Sequence, residues 1–404
     1  MANFKLMRQL KKNDGGKIIL LILDGLGGLP SDGYSQTSLE MADTQNLDRL
    51  AAEGSLGLIH PIGRGITPGS GPAHLALFGY DPVGTPVGRG VLSALGVGFD
   101  LEPGDVAARG NFCSVDSEGL ITDRRAGRIG SDMALPLVEK LRSIKVEGVE
   151  TFVQLVKEYR FVLVLRGPNL NGDLADTDPQ ITGKPPLPAT AIDRNGERTV
   201  KLIQDWVNQA GEILANESPA NMVTLRGFGQ DPQLPQFSDV YGLRAACVAV
   251  YPMYKGVSKL VGMDVLPTGS DFTPRQEFDV VADHWADYDF FFVHIKPTDS
   301  RGEDGDFLGK AAVIETADKA LPVLLELNPD VLVVTGDHST PARLKSHSWH
   351  PVPMLLWAPE SHLPDKTGAF GEREAQQGGL GHLPASDLMS LAMAHALRLE
   401  KYGA

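Results

Sequence analysis

Short, largely apolar runs that alternate with helical stretches are the feature that most constrains the fold of this chain. The runs are rich in β-branched and aromatic residues and cover Ile18–Leu23, 161–165, 245–250, Phe290–Ile295, Val331–Thr335 and 354–357. Between them, apolar residues recur at every third and fourth position over 44–53, 135–143, 200–214, 308–327 and 385–399. Such runs between helices are typical of the strands of a buried, mostly parallel sheet. We therefore predict an α/β fold, with a mostly parallel sheet flanked by helices.

The middle of the chain has the features of a separate domain. Residues 107–263 carry strands and helices of their own, joined by segments rich in proline and glycine such as 183–188. We predict that residues 1–106 and 264–404 form a core domain, and that 107–263 form a smaller α/β domain inserted into it.

The composition restricts the class of protein and its environment. With 42% hydrophobic and 22% charged residues over 404 positions, the chain is globular and neither disordered nor fibrous. Its longest apolar runs fall far short of the roughly 20 residues that cross a bilayer. Its first residues also lack the apolar stretch of an export signal. We expect a cytoplasmic protein with no membrane partner.

Charge and cysteine usage restrict the possible ligands. The formal net charge of -14 makes nucleic acid an unsuitable partner. Cys113 and Cys247 are far apart and neither has a second cysteine nearby, which argues against a disulfide framework and a thiolate metal site. Any metal ion would therefore be bound by oxygen and imidazole ligands.

Three of the apolar runs end in or lead to ionisable residues. These residues are Asp24, His294, Asp299, Asp337 and His338. Ligands of doubly wound sheets bind outside the carboxyl ends of the strands, so these side chains can converge although they are distant in sequence. An acidic residue before glycine at a strand end is also a good turn residue, and for any single position this alternative stays open.

Histidines and carboxylates are concentrated between positions 294 and 350. Four of the 10 histidines lie there, namely His294, His338, His347 and His350, beside Asp299, Glu303, Asp304, Asp306 and Asp337. Mixed imidazole and carboxylate ligands suit Mn²⁺, Zn²⁺ or Mg²⁺. Taken singly, His294 and His350 are equally well explained as packed or capping residues.

Ser70 lies in a loop of glycine and proline that precedes a short predicted helix. Serine is a common N-cap residue, which is the structural explanation for it. A helix N-terminus also binds phosphate, and a serine hydroxyl bound to a metal ion would be a nucleophile. Both interpretations stay open on the loop alone.

Two glycine-rich segments resemble nucleotide-binding motifs without matching them. Residues 25–30, GLGGLP, follow a predicted strand, but Pro30 replaces the last glycine of GxGxxG. Residues 305–310, GDFLGK, are one residue short of a P-loop, and no serine or threonine follows Lys310. Neither segment predicts a nucleotide site.

Basic residues cluster in the predicted insert. The cluster consists of Arg124, Arg125 and Arg128, with Arg226, Lys255 and Lys259 further along the chain. Planar guanidinium groups suit the recognition of phosphate and carboxylate. Each of these residues alone is also compatible with an ordinary solvent-facing position.

The chain resembles a known family, the archaeal-type cofactor-independent (2,3-bisphosphoglycerate-independent) phosphoglycerate mutases of the alkaline phosphatase superfamily. The matching stretches, which span nearly the whole chain in order, are LILDGLGGLP, ADTQNLDRLAAEGSLGL, GSGPAHLALFGYDP, GRGVLSALGVGFDLEPGDVAARGNF, DRRAGR, HIKPTDSRGEDGDF, and TGDHSTP followed by HSWHPVP.

The resemblance implies a phosphatase-like core with two divalent metal ions, and an inserted domain that grips the substrate. One ion would be bound by Asp24, Ser70, Asp337 and His338, and the other by Asp299, Glu303 and His347. Mn²⁺ is the expected ion, with Mg²⁺, Co²⁺ or Zn²⁺ as alternatives. The substrate, a small phosphorylated carboxylate, would be held by Arg124, Arg125, Arg128, Arg226 and Lys255.

Three positions depart from the family pattern. Glu303 stands where histidine is usual, and a carboxylate there adds negative charge and favours harder ions. Gly71 and Pro72 replace polar residues that usually follow the nucleophile. His350 stands where Asp or Asn is usual, and its imidazole could compensate for Glu303.

The function implied is the interconversion of 3-phosphoglycerate and 2-phosphoglycerate through a phosphoserine at Ser70. One alternative is another metal-dependent phosphoryl transferase or phosphatase of the superfamily, including the homoserine kinase role proposed for some relatives. A second alternative is a non-catalytic relative that keeps the fold without a competent second metal site. The sequence predicts no oligomeric state.

Overall fold

The computed structural model describes residues 3–31 and 33–403 of the chain. Its strands are β1 Ile18–Leu23, β2 Ser55–His60, β3 Val106–Val115, β4 Ile121–Asp123, β5 Glu150–Lys157, β6 Arg160–Arg166, β7 Met222–Gly229, β8 Ala245–Ala249, β9 Asp264–Val265, β10 Phe290–Ile295, β11 Val331–Thr335, β12 Val352–Trp357 and β13 Gly381–Pro384.

The α-helices alternate with these strands along much of the chain. They are α1 Phe4–Leu10, α2 Ser38–Met41, α3 Gln45–Glu53, α4 Ser70–Leu77, α5 Arg89–Gly96, α6 Ser131–Leu141, α7 Glu197–Leu214, α8 Phe237–Tyr241, α9 Pro252–Leu260, α10 Pro274–Asp283, α11 Pro297–Asp304, α12 Phe307–Ala320, α13 Pro322–Leu325, α14 Glu372–Ala375 and α15 Leu388–His395. Short 3₁₀ helices cover Ala126–Arg128, Arg194–Gly196 and Ala385–Asp387. None of the helices in the described ranges is long and apolar enough to span a membrane.

The chain divides into two compact units. The first comprises residues 1–86, 235–254 and 261–404, and the second comprises 87–234 and 255–260. The predicted insert, 107–263, therefore begins later than the second unit does. It also includes residues 245–250, which lie in the first unit because β8 pairs in parallel with β10.

The first unit contains an eight-stranded sheet in the order β13-β2-β12-β11-β1-β10-β8-β9. The strands β11, β1, β10, β8 and β9 run parallel to one another, whereas β12 is antiparallel to both of its neighbours. All six residues of β1 are buried, as expected for a strand with both faces covered. The predicted mostly parallel sheet flanked by helices is confirmed.

The register of the central strands brings three chain segments to one edge of the sheet. Leu23 pairs with Ile295 of β10, and Ile22 pairs with Thr335 of β11. The carboxyl ends of β1, β10 and β11 therefore lie side by side. The residues that follow these strands share the edge where ligands bind in sheets of this type.

The second unit contains an antiparallel sheet in the order β4-β3-β6-β5, with β7 also paired to β3. The apolar run 161–165, which we predicted in the parallel sheet, lies here in β6. Two residues separate β5 from β6, and a connection this short requires an antiparallel pair. The core of this unit includes Trp206 of α7, packed near Phe161 of β6.

Candidate active site

A buried cluster of two carboxylates and one imidazole lies at the ends of β1 and β11. Asp24 follows β1, Asp337 and His338 follow β11, and all three are 0% exposed. The Nε2 atom of His338 is 3.4 Å from Oδ1 of Asp24 and 3.3 Å from Oδ2 of Asp337. One potential ligand atom from each residue lies within 4.8 Å of the others, so the three could hold a metal ion.

A second group of potential ligands consists of Asp299, His338 and His347, whose donor atoms also lie within 4.8 Å of one another. The Oδ1 atom of Asp299 is 3.7 Å from Nε2 of His347 and 4.0 Å from Nδ1 of His338. The two imidazole rings stack with centroids 3.6 Å apart. His338 is therefore within reach of both groups, whereas the resemblance assigns it to one ion only.

Glu303 lies at the margin of the second group. Asp299 and Glu303 both belong to α11, and their spacing of four residues places them on one face of the helix. The Oε1 atom of Glu303 is 3.9 Å from Nε2 of His347, and its side chain is 55% exposed. Its role as a ligand stays a prediction.

Ser70 is the first residue of α4. The N-cap is Gly69, and no side chain caps this helix end. The Oγ atom of Ser70 instead lies 3.2 Å from Nε2 of His338. The capping explanation therefore does not account for this serine, and its hydroxyl belongs to the same cluster as the carboxylates.

Three further side chains contact Asp24. The hydroxyl of Tyr254 donates a hydrogen bond to its Oδ2 atom, Nε2 of His294 is 3.4 Å from that oxygen, and Nζ of Lys296 is 3.1 Å from it. Lys296 also lies 2.5 Å from Oδ2 of Asp299. His294 was among the candidates predicted from the sequence, whereas Lys296 and Tyr254 were not. The position of Lys296, directly after β10, was the available signal for it.

His74 is another residue of the cluster that was not predicted from the sequence. It lies in α4 one turn after Ser70, with its Nδ1 atom 2.7 Å from the Ser70 carbonyl oxygen and 3.5 Å from Oδ2 of Asp337. Burial lowers the pKa of His74 to about 3, so its imidazole is neutral at physiological pH. The spacing of four residues from Ser70 on a predicted helix could have indicated it.

The electrostatics of the cluster fit a bound cation. Among the described residues, Oδ1 of Asp24 and Oδ2 of Asp337 are buried without a hydrogen-bond partner. Burial, reinforced by the charge of Asp24, raises the pKa of Asp337 well above its usual range. Burial would also raise the pKa of Asp24, but Lys296, followed by His294, holds it well below its usual range. Buried carboxylates without partners are costly unless a positive charge compensates them, and this donor set suits divalent ions.

His350 is absent from both groups of potential ligands. Its Nδ1 atom lies 3.0 Å from Oγ of Ser348, and the residue lines a cavity of about 160 Å³ together with Glu40 and Glu372. Its suggested compensation for Glu303 has no support in these contacts.

The predicted substrate-binding residues all lie in the second unit. Arg124 donates two hydrogen bonds to Asp178, at 3.0 and 2.7 Å, and Nη1 of Arg226 is 3.5 Å from the same carboxylate. Arg125 and Arg128 are exposed. Lys255 lies in α9, apart in sequence from the arginines.

The backbone at the arginine cluster is unusual. Three successive residues, 126, 127 and 128, have positive φ values of 45°, 66° and 54°. The carboxylate of Asp123 accepts hydrogen bonds from the backbone N–H groups of Arg125 and Gly127. This left-handed turn is costly for alanine and arginine, and such strain is concentrated at functional sites.

Comparisons with known proteins agree with the resemblance. Residues 51–221 match the family described as 2,3-bisphosphoglycerate-independent phosphoglycerate mutase. The chain is 49% identical to a probable 2,3-bisphosphoglycerate-independent phosphoglycerate mutase of Thermus thermophilus, covering 100% of both chains. It is also 49% identical to a protein of the same description in Deinococcus radiodurans, covering 98% of each.

Two solved structures share the fold over nearly the whole chain. A protein from Pyrococcus horikoshii superposes with a TM-score of 0.84 at 32% identity, covering 96% of this chain and 100% of the other. The cofactor-independent phosphoglycerate mutase of Thermoplasma acidophilum superposes with a TM-score of 0.70 at 32% identity, covering 94% and 100%. Together with the curated relatives, these matches show that the chain belongs to the family of 2,3-bisphosphoglycerate-independent phosphoglycerate mutases.

Proposed function

We propose that this protein is a divalent-metal-dependent phosphoglycerate mutase that interconverts 3-phosphoglycerate and 2-phosphoglycerate, with Ser70 as the phosphoryl acceptor. The observation that carries the proposal is the distance of 3.2 Å between the Ser70 hydroxyl and His338, which is common to both groups of potential ligands. We take the substrate class, phosphoglycerate, from the names of the relatives.

The potential ligands form two groups that have the His338 imidazole in common. Asp24 and Asp337 would hold one ion and Asp299 and His347 the other, with His338 in reach of both and Glu303 as a further ligand of the second. Divalent ions bound there would lower the pKa of the serine hydroxyl and neutralise phosphate oxygens. Mn²⁺ is the first choice for an oxygen and imidazole set, with Mg²⁺, Co²⁺ and Zn²⁺ to be compared.

The reaction has two matching halves. The Ser70 oxygen loses its proton and attacks phosphorus, the bond from phosphorus to the 3-oxygen breaks, and that oxygen is protonated as glycerate forms. Glycerate then turns within the site, and its 2-hydroxyl loses a proton and attacks the phosphorus of the phosphoserine. The bond from phosphorus to the Ser70 oxygen breaks, and that oxygen takes up a proton, which restores the serine hydroxyl. The N-terminal end of α4 favours the negative charge that gathers at Ser70 in both halves.

The basic residues of the second unit provide the chemistry that an anionic substrate needs. Arg124, Arg125, Arg128, Arg226 and Lys255 carry the charges suited to phosphate and carboxylate. Water must be kept from the phosphoserine while glycerate turns, because hydrolysis would otherwise convert the mutase into a phosphatase. We assign the binding of the anionic groups of the substrate to these basic residues of the second unit.

The test is to incubate the purified protein with Mn²⁺ and 3-phosphoglycerate and to follow the phosphorus NMR spectrum. Appearance of 2-phosphoglycerate without inorganic phosphate supports the mutase. Release of phosphate alone would indicate a phosphatase, and phosphorylation of homoserine from ATP in a parallel reaction would indicate a kinase. Binding of no metal and no turnover would indicate a non-catalytic relative.

A further inference from the structure

Lys310 is a fully buried lysine whose three hydrogen bonds all go to backbone carbonyls. It lies in the first turns of α12, and its Nζ atom donates to the carbonyl oxygens of Gly25, Gly27 and Thr340 at 2.7, 3.0 and 2.9 Å. An ammonium group has three donors, so every one of them is used. A lysine is almost never fully buried without such compensation.

These carbonyls belong to the segments that carry the proposed metal ligands. Gly25 directly follows Asp24, and Thr340 lies two residues after His338. The backbone N–H of Thr340 also lies within hydrogen-bond distance of the Gly25 and Gly27 carbonyl oxygens, at 3.2 and 3.0 Å. Lys310 and Thr340 therefore fasten the segment after β1 to the segment after β11.

Thr340 extends this connection to the second group of ligands. Its hydroxyl donates a hydrogen bond to Oδ1 of Asp299 at 2.6 Å and lies 3.0 Å from Nδ1 of His338. A displacement of the Thr340 backbone would consequently move a group that contacts one ligand of each set. The backbone that Lys310 holds is therefore connected, through the Thr340 hydroxyl, to ligands of both proposed metal positions.

Glu372 holds the other end of the glycine segment. Its Oε1 atom accepts a hydrogen bond from the backbone N–H of Gly28 at 2.8 Å, and its Oε2 atom accepts one from the Thr37 hydroxyl at 2.5 Å. Lys310 therefore binds carbonyl oxygens of the Gly25–Gly28 segment, and Glu372 binds the N–H of its last residue.

Two glycines of this segment are required for these contacts. Gly25 has a φ of +63°, and a Cβ atom there would lie 2.5 Å from Oγ1 of Thr340. A Cβ atom on Gly27 would lie 1.9 Å from Oγ of Ser339. Only glycine allows these two residues to approach the 339–340 backbone closely enough for their carbonyls to share one ammonium group.

We propose that Lys310 and Glu372 are positioning residues that fix the Gly25–Gly28 segment, and through it hold Asp24 and Asp337-His338 at the spacing that divalent metal ions require. This role rests on the metal site of the proposed function. It explains why residues 25–30 and 305–310 imitate nucleotide-binding motifs without forming one, since GLGGLP supplies the carbonyls and GDFLGK supplies the lysine.

The test compares Mn²⁺ binding by Lys310→Met with binding by a control on the same helix. Asp318 is also buried in α12, about 12 Å further along the helix axis, and accepts hydrogen bonds from the backbone N–H groups of Asn46 and Leu47. Asp318→Asn therefore removes buried hydrogen bonds from the same helix without touching the glycine segment. Calorimetric titration of the full-length proteins with Mn²⁺ gives affinities that do not depend on turnover.

We expect Lys310→Met to weaken Mn²⁺ binding at least about tenfold, and Asp318→Asn to change it less than about twofold at a comparable loss of thermal stability. Equal affinities in wild type and Lys310→Met overturn the proposal, and so does equal weakening in Lys310→Met and Asp318→Asn. If Lys310→Met does not fold, Glu372→Leu, which removes both oxygens that accept the Gly28 and Thr37 hydrogen bonds, decides: weakening by about threefold or more supports the proposal, and unchanged affinity overturns it.

The same titration separates this proposal from the proposed function. A wild-type protein that binds Mn²⁺ but does not isomerise 3-phosphoglycerate contradicts the mutase, while the variants still decide the roles of Lys310 and Glu372. A wild-type protein that binds no divalent ion overturns both.

Discussion

The Ser70 hydroxyl lies 3.2 Å from Nε2 of His338, although the two residues are 268 positions apart in the chain. The same nitrogen is 3.4 Å from a carboxylate oxygen of Asp24 and 3.3 Å from one of Asp337. A serine at a helix start is common, but a hydroxyl that faces a histidine flanked by two buried carboxylates is the arrangement expected of the proposed nucleophile. The contact therefore connects the proposed nucleophile directly to the proposed metal ligands.

The first prediction concerns this hydroxyl. Ser70→Ala should lower the rate of isomerisation by about 1,000-fold or more, because no other group replaces the phosphoryl acceptor. The melting temperature should stay unchanged, since Ser70 does not cap α4. Mass spectrometry of acid-quenched wild type should find phosphate on Ser70. Normal turnover by the alanine variant would exclude the covalent route.

The second prediction concerns Glu303. We expect Glu303→Ala to weaken binding of one Mn²⁺ ion about tenfold, because its carboxylate is 3.9 Å from His347 and on the same helix face as Asp299. Glu303→His should restore binding and move the preference away from Mg²⁺, since imidazole is a poor ligand for that ion. The control is Asp304→Asn, the next exposed acid of α11. If Glu303→Ala and the control behave alike in calorimetry, Glu303 is a solvated surface residue.

The third prediction concerns the arginines of the second unit. Replacing Arg125 and Arg128 with alanine should raise the KM for 3-phosphoglycerate about tenfold or more, because charge-assisted hydrogen bonds to the substrate are lost. Arg124 is less suitable for this test, since its removal leaves the buried Asp178 without its strongest partner. Mn²⁺ affinity should not change.

The matched control for that experiment replaces Arg194 and Arg198, two other exposed arginines of the same unit, with alanine. It removes the same formal charge. An unchanged KM in the Arg125/Arg128 variant, or an equal rise in the control, would show that no specific recognition takes place at the arginine cluster.

The sheet edge that carries the site could be predicted from the sequence because its determinants are local. The runs Ile18–Leu23, Phe290–Ile295 and Val331–Thr335 are strands with those same bounds in the structure. Their apolar composition determines that they are buried, and the topology rule for parallel sheets places the following residues together. For the same reason Asp24 and Asp337 could be singled out by their positions in the sequence alone.

The residues that surround the ligands could not be predicted in this way. The position of Lys296 after a strand marks it as a candidate, but only the fold shows that the distant carboxylate of Asp24 compensates its charge. Lys310 has no such mark in the sequence, and only the fold shows that distant carbonyl groups compensate its charge. The predicted domain bounds differ from the two compact units of the structure for a related reason. Residues 245–249 form a strand by local pattern, but whether that strand joins the first or the second sheet depends on its pairing with β10.

The fourth prediction concerns removal of metal. Mn²⁺ at about 100 times its dissociation constant should stabilise the wild type by about 2.7 kcal/mol per site relative to protein in chelator. Asp337→Asn should lose most of this gain and yet be at least as stable as wild type in chelator, because Asp24 and Asp337 repel each other when no cation is present.

The control is Asp365→Asn, whose carboxylate accepts hydrogen bonds from the backbone N–H groups of Leu56 and Gly379. That variant should lose the same stability with and without Mn²⁺. Thermal unfolding of the three proteins in both conditions measures the difference. An Asp337→Asn protein that gains as much from Mn²⁺ as wild type does would contradict the assignment of Asp337 as a ligand.

The last prediction concerns the pH dependence of stability contributed by Glu372. Burial raises the pKa of this carboxyl group to about 7, from 4.5 in the unfolded chain, although hydrogen bonds from Thr37 and Gly28 act in the opposite direction. Because the folded state holds the proton more tightly, Glu372 contributes stability that is fully present below pH 4.5 and lost as the pH rises through about 7.

Glu372→Gln removes this titration. Between about pH 5 and pH 8 the free energy of unfolding, measured with urea in the presence of chelator, should therefore fall less in Glu372→Gln than in wild type. Glu374→Gln, a neighbouring substitution in α14, serves as the control and should follow the wild-type profile. Parallel profiles for wild type and Glu372→Gln would mean that the Gly28 and Thr37 hydrogen bonds fully offset the effect of burial on the pKa. Glu372 would then bind the glycine segment as an ordinary ionised carboxylate.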